Sequence, residues 1–260
     1  MRVVRFAVQR KVSYGVLDDN RIRGLRRSPF FHFGTSAPSP APEGKDFRLD
    51  EVRLLAPCLP SKLVCLGLNY RSHVEEIGMP LPAMPLIFLK PSTAVIGPGD
   101  DIVIPRQATR VDYEGELGVV IGRKAKEVRP DDAYRYILGY TCVNDVTERH
   151  NQRDDGQWTR AKSYDTFAPL GPWVETDLDP HHLKLETYVN GELRQSAPTS
   201  DLIFAVPRLV SFISAVMTLL PGDVIATGTP AGIGPLAERD VVEVRIDGIG
   251  SLRNAVATAK

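Results

Sequence analysis

The chain has 260 residues, enough for one large domain or for a large and a small one. Its 43% hydrophobic and 25% charged residues are ordinary globular composition, and 32 basic against 32 acidic side chains leave no basic excess to bind nucleic acid. The N-terminal MRVVRFAVQR sets charges among its apolar residues, unlike a signal peptide, and the longest apolar stretch, residues 209–220, is too short to cross a bilayer. Three cysteines (Cys58, Cys65 and Cys142) form no CxxC pair and are expected as reduced, buried thiols. A soluble cytoplasmic protein with neither a membrane nor a nucleic acid as partner is the expectation.

Along the chain, residues 1–26 read as short strands around a turn at Asp18-Asp19-Asn20. SAPSPAPEG, residues 36–44, suits a linker or an exposed loop, so residues 1–55 are expected to form a small N-terminal β module, linker included, and residues 56–260 a larger domain. From there KLVCLGLN, PLIFLKP and DIVIP alternate with Gly/Pro turns. Residues 131–138 predict a short helix leading into the strand YTCVND. YVNGELR carries Asn190-Gly191, a two-residue hairpin signal. One longer helix begins at Pro207, with Leu209, Phe212, Ile213, Val216 and Leu220 as its apolar stripe and Pro221-Gly222 as its stop. Without regular βαβ alternation a Rossmann or barrel fold is disfavoured. The fold class read here is α+β and strand-rich.

VDYEGELGVVIG, residues 111–122, raises a chemical question. Read as one strand, it places Asp112, Glu114 and Glu116 on a single face, where neighbouring carboxylates repel. On this stretch alone a solvated outer face is the ordinary explanation, and half of a metal site is the other. Glu114 and Glu116 would need a third partner, and Asp145, closing the apolar strand YTCVND, is a candidate equally suited to a turn or cap. Three carboxylates without Cys or His favour a hard ion such as Mg²⁺, Mn²⁺ or Ca²⁺.

Three further groups stand out. In residues 69–78, Asn69 can cap a short helix that Gly78 ends, which puts His73 and Glu76 on one face. A carboxylate that fixes the imidazole tautomer makes a general base able to activate water, although a charged surface helix would carry the same residues. Lys162 sits among small and polar residues, where a lone lysine is ordinarily solvated. TGTPAGIG, residues 227–234, brings backbone N–H groups close enough for an anion but lacks a Walker ending, and a plain tight turn fits it too.

Taken in order, LGLNYRSHVEE, PLIFLKP, DYEGELGVVIG, VNDVTERHNQ, AKSYDTFAPLGPWV, VNGELRQ and LLPGDVIATGTPAGIGP resemble the fumarylacetoacetate hydrolase superfamily from about residue 56 to 246. The nearest likeness is to its acylpyruvase and oxaloacetate-decarboxylase-like members and its 2-hydroxyhepta-2,4-diene-1,7-dioate isomerases. The resemblance implies a mixed β-roll of the family's C-terminal type and a homodimer. It implies that Glu114, Glu116 and Asp145 bind Mg²⁺ or Mn²⁺ (Ca²⁺ in crystals), and that His73 and Glu76 activate water. It implies that Lys162 meets the bound oxo acid, that Arg149 and Gln152 contact substrate, and that the Thr229 loop holds the substrate carboxylate.

The expected reaction is metal-dependent hydrolysis of a C–C bond in a 3-acylpyruvate or related β-diketo acid, through a pyruvate enolate held at the metal. Isomerisation of the 2-hydroxy-dienedioate type and oxaloacetate decarboxylation use the same enolate-stabilising end. A non-catalytic metal-dependent binding protein is the alternative of another class; it would need the carboxylates but not His73, Glu76 or Lys162.

Overall fold

The computed structural model describes residues 1–32 and 42–259. Among them, strands dominate and helices are few, as the sequence leads one to expect. The centre of the molecule is the strand Gly115–Ile121, buried along all seven residues. Alternation sends its side chains into two cores. Leu117, Val119 and Ile121 pack with Leu209, Val210 and Ile213 of the helix Val206–Val216, while Val120 packs with Leu63, Val143 and Leu170. A strand covered on both faces carries apolar residues on both, so GELGVVI lacks a polar outer stripe.

Around it lies a mixed sheet of twelve strands. Ile137–Asn144 flanks the central strand antiparallel on one side and Val224–Ala226 on the other. Val224–Ala226 runs parallel to Lys62–Gly67, whose antiparallel neighbour Leu86–Pro91 ends that side of the sheet. On the far side Ala168–Glu175 pairs with Arg2–Val8, which continues into Lys11–Asp18, Arg21–Leu25 and Pro42–Arg48. These N-terminal strands join the same sheet yet keep a core of their own around Val4, Phe6, Leu17 and Ile22. The expected linker falls outside the described residues over 36–41, and its last residues, 42–44, are already strand.

A second sheet orders Glu192–Pro198, Lys184–Val189, Val241–Ile246, Gly250–Thr258 and Ile102–Ile104. Asn190 and Gly191 turn its first hairpin with φ of 53° and 82°, the left-handed pair that Asn-Gly is suited to supply. A small third sheet joins Val111–Tyr113 to Thr147–Glu148 and Gly234–Pro235.

Three local readings change. Residues 131–138 form a 3₁₀ turn, Pro130–Tyr136, because Ile137 and Leu138 are taken into the following strand. The long helix stops at Val216, where Leu219 pairs with Ala125 and draws the chain out, so Val216 and Leu220 are exposed. Asn69 is no cap: the helix Arg71–Glu76 starts from Tyr70, and the Asn69 amide is used elsewhere. All three cysteines are buried and unpaired, and burial pushes the Cys58 thiol up to about 12. Among the described residues no helix is long and apolar enough to cross a membrane.

Leu209 is fully buried where the helix meets the central strand. Leu209→Ala should cost about 2–5 kcal/mol, read as a lower urea midpoint with an unchanged slope.

Candidate metal centre and active site

The stretch 111–122 is two strands, broken at Glu114. Val111–Tyr113 belongs to the small sheet and Gly115–Ile121 to the large one. The break is pinned from the neighbouring strand: the Glu114 N–H donates to Asn144 Oδ1 at 3.0 Å, and the Asp145 N–H donates to the Glu114 carbonyl at 2.8 Å. Register then sets Gly115 opposite Asn144, so Asp145 emerges beside Glu114. Glu114, Glu116 and Asp145 converge, each offering an oxygen within 4.8 Å of the others. Gly115 between the glutamates is a packing requirement, since a Cβ there would lie 2.1 Å from Thr187 Oγ1.

A solvated outer face is excluded. Asp112, Glu114 and Glu116 are 0%, 5% and 1% exposed. Asp112, however, leaves the cluster: beyond the break it takes Arg110 through two N–H groups (2.9 and 3.1 Å) and Arg149 Nε at 2.8 Å.

Cations surround two of the three clustered carboxylates. Lys162 Nζ bridges Glu114 (2.8 Å) and Asp145 (2.7 Å), Arg149 Nη2 lies 2.6 Å from Glu114, and buried Lys90 donates to Asp145 and to the Val146 carbonyl. Burial by itself would raise Glu114, but Lys162 and Arg149 outweigh it and hold this carboxyl well below the usual range. Burial opposes the charge on Lys162, yet Asp145 and Glu114 keep its pKa raised. Glu116 is different. It accepts the Gly228 N–H at 2.8 Å, and burial together with Asp145 and Glu114 pushes it well above an ordinary carboxyl. The donor set, all carboxylate oxygen, fits a hard divalent cation whose charge would relieve the strain on Glu116.

A cavity of about 320 Å³ opens beside this cluster, lined by His73, Glu114, Arg149, Gln152, Lys162 and Thr229 among others. His73 Nδ1 lies 3.0 Å from Glu76 Oε2, and the other Glu76 oxygen accepts the Gly232 N–H at 2.9 Å. Arg149 spreads its fork over Asp112, Glu114 and Gln152 Oε1 (2.9 Å). The Thr229 hydroxyl is already engaged: it donates to the Gly115 carbonyl at 2.9 Å and accepts from Gln195 at 2.8 Å. So every predicted site residue falls in or around one pocket, while the hydroxyl of Thr229 serves the loop.

Two site-shaping residues, Lys90 and Gln195, escaped the sequence reading, and a third, Asn69, was given a different role. Lys90 backs Asp145 from inside an edge strand, where a lone lysine among apolar residues is itself the signal. Gln195 holds the Gly115 N–H at 3.0 Å and the Pro230 carbonyl at 2.8 Å, tying the glutamate strand to the glycine loop. Asn69 joins the Thr227 carbonyl (2.7 Å) to Phe204, beneath Gly228, whose φ of +100° aims its N–H at Glu116.

The family model of the fumarylacetoacetate (FAA) hydrolase C-terminal domain matches residues 62–257, and one described as Rv2993c-like, N-terminal, matches residues 1–57. The chain belongs to the fumarylacetoacetate hydrolase family. A 2-hydroxyhepta-2,4-diene-1,7-dioate isomerase from Mycobacterium marinum is 46% identical, with 99% of this chain and 98% of that one covered at a TM-score of 0.90. The mitochondrial oxaloacetate tautomerase FAHD2B of Bos taurus is 42% identical over 219 residues, 79% of this chain and 70% of the relative. A maleylpyruvate hydrolase from Sphingobium sp. SYK-6, solved with manganese(II) and pyruvate, is 30% identical over the full length of both chains, at a TM-score of 0.81. The members it resembles are enzymes, of several reaction types.

Burial and the neighbouring carboxylates raise Glu116, so a cation binding there competes with a proton held more tightly than on an ordinary carboxyl. Affinity for a divalent cation such as Mg²⁺ or Mn²⁺ should therefore rise with pH while Glu116 titrates, by up to about tenfold per pH unit for one displaced proton, and then level off. Calorimetry in buffers of differing ionisation heat should show the release, and Glu116→Gln should abolish it and weaken binding.

Proposed function

We propose that this chain hydrolyses a C–C bond in a 3-acylpyruvate or related β-diketo acid, with Mg²⁺ or Mn²⁺ held by Glu114, Glu116 and Asp145. The observation that carries this reading is the His73–Glu76 pair, 3.0 Å apart, on the wall of the cavity that also holds Glu114 and Lys162. When bound, the ion supplies Lewis-acid polarisation of the 2-oxo acid end.

The chain's own groups do the rest. Glu76 accepts the Nδ1 proton of His73, which leaves Nε2 as the base, and the Gly232 N–H keeps Glu76 in position. His73 takes a proton from water as its oxygen attacks the distal carbonyl. The bond between that carbonyl carbon and the methylene carbon then breaks. Its electron pair passes into the pyruvate enolate, whose developing charge faces the Lys162 ammonium. Proton return to the methylene carbon yields pyruvate beside the carboxylic acid. Arg149 and Gln152, joined at 2.9 Å in the same cavity lining, orient the substrate. The backbone of the Thr229 loop holds its carboxylate.

An isomerase reading is favoured by the 46% identity to the Mycobacterium marinum isomerase. There His73 would carry a proton between carbons and no water would attack. The bovine tautomerase points the same site at oxaloacetate, with proton movement as the outcome; loss of CO₂ from oxaloacetate would use the same enolate-stabilising end.

Proton NMR of the magnesium-loaded protein with an acylpyruvate, oxaloacetate and a 2-oxo-enedioate in turn separates these. Pyruvate plus a carboxylic acid, lost with EDTA or in Glu114→Ala, is the expected result, and proton migration without cleavage would make this an isomerase. His73→Ala should lower hydrolysis by about 10²–10⁴-fold and leave calorimetric metal binding intact.

A further inference from the structure

The cavity has two unlike halves, and only the charged one has been given work. The other is formed by Trp158 and Phe88, with Ile77 and Met79 at the rim. The two rings meet edge to face, centroids 5.2 Å apart at 74°. Trp158 is seated directly on the backbone: a Cβ at Gly67 would come within 2.6 Å of Cζ3 and 2.7 Å of Cη2 of the indole. Glycine at this strand end leaves room for the ring. Lys162 begins one helical turn after Trp158, its N–H bonded to the Trp158 carbonyl at 3.0 Å, and its ammonium lies 5.0 Å from the centre of the Phe88 ring. The aromatic surface thus starts beside the ammonium that faces the reacting end.

Among the described residues, this side has no charged group beyond the Lys162 ammonium at its edge. Each basic group lining the cavity is already matched by a carboxylate: Lys162 by Glu114 and Asp145, Arg149 by Asp112 and Glu114, His73 by Glu76. A carboxylate carried at the far end of a substrate would lose its hydration against two rings without finding a free cation.

We infer that Trp158 and Phe88 form a specificity shelf, seated by Gly67, that selects 2-oxo acids whose distal group is planar and uncharged over those ending in a second carboxylate. This rests on the preceding reading of the charged half as the site of the 2-oxo acid head. Stacking and burial of a phenyl group on such a shelf give at least about a tenfold advantage over its carboxylate counterpart.

Three unreactive ligands test it by calorimetry on the magnesium-loaded protein. Oxalate reports the head alone, while 4-phenyl-2-oxobutanoate and 2-oxoglutarate share one head and spacer and differ only in a terminal phenyl or carboxylate. The expected result is binding of the phenyl compound at least about tenfold tighter than 2-oxoglutarate. In Trp158→Ala that ratio should shrink to threefold or less, each affinity being taken relative to oxalate in the same variant, and Gly67→Ala, which displaces the indole, should shrink it as well. Magnesium-dependent oxalate binding with 2-oxoglutarate equal or preferred, or a ratio untouched by Trp158→Ala, overturns the shelf alone. Failure of oxalate to bind in the presence of magnesium overturns the head-group reading and the shelf together.

Discussion

Three carboxylates brought together out of water set the terms for the rest of this molecule. Each is costly to bury charged, and each makes the next more costly. Lys162, Arg149 and Lys90 offset the charge of Glu114 and Asp145, and all three carry that charge into the interior on long side chains. Glu116 has a backbone N–H as its partner, and burial with its two carboxylate neighbours pushes it well above an ordinary carboxyl. Among the described residues, none of the cluster's ion pairs reaches Glu116. A divalent ion would supply that charge, and the pairing of each base with a carboxylate explains why the pocket wall is rich in bases without being a basic patch.

The strand break at Glu114 makes the geometry possible. In a continuous strand Glu114 and Glu116 would point the same way at fixed spacing, and Asp112 would add a third like charge to the row. Ending one strand at Tyr113 and starting another at Gly115 turns Asp112 toward Arg110 and Arg149. It becomes the anchor of a guanidinium that faces the cluster. Asn144 and Asp145, at the end of the partner strand, bind the backbone of the break, so the third carboxylate and the kink share one cause. Gln195 and Asn69 extend the same logic outward by tying the glycine loop to the glutamate strand and to Phe204.

What the sequence disclosed follows from this. Spacing rules that depend on a few residues read correctly: the Asn190-Gly191 turn, the 3.6-residue stripe through Leu209 and Ile213, and the pairing of His73 with Glu76 three residues on. The acidic alternation over 112–116 flagged a real cluster but set Asp112 on the same face as Glu114 and Glu116, because alternation presumes an unbroken strand. Asn69 looked like a helix cap because its type suits one, whereas its amide spans two segments more than 130 residues away. Lys90 and Gln195 act through contacts of long sequence separation that no local pattern encodes. The ends of helices failed for a similar reason. Val216 and Leu220 continue the apolar stripe, but pairing of Leu219 with Ala125 stops the helix first.

The two halves of the cavity divide the chemistry in a way that fits a family with several reactions. On the proposed reading, negative charge on a 2-oxo acid would be stabilised by the buried cations and a bound metal. What would happen at the other end of the substrate then depends on whether water reaches His73 and on what fills the space beside Trp158 and Phe88. Trp158 sits at the start of a short helix and Phe88 on an edge strand beside the Lys162 ammonium. Gly67 is fixed by the indole above it, so the shelf and the strand that supports it must change together.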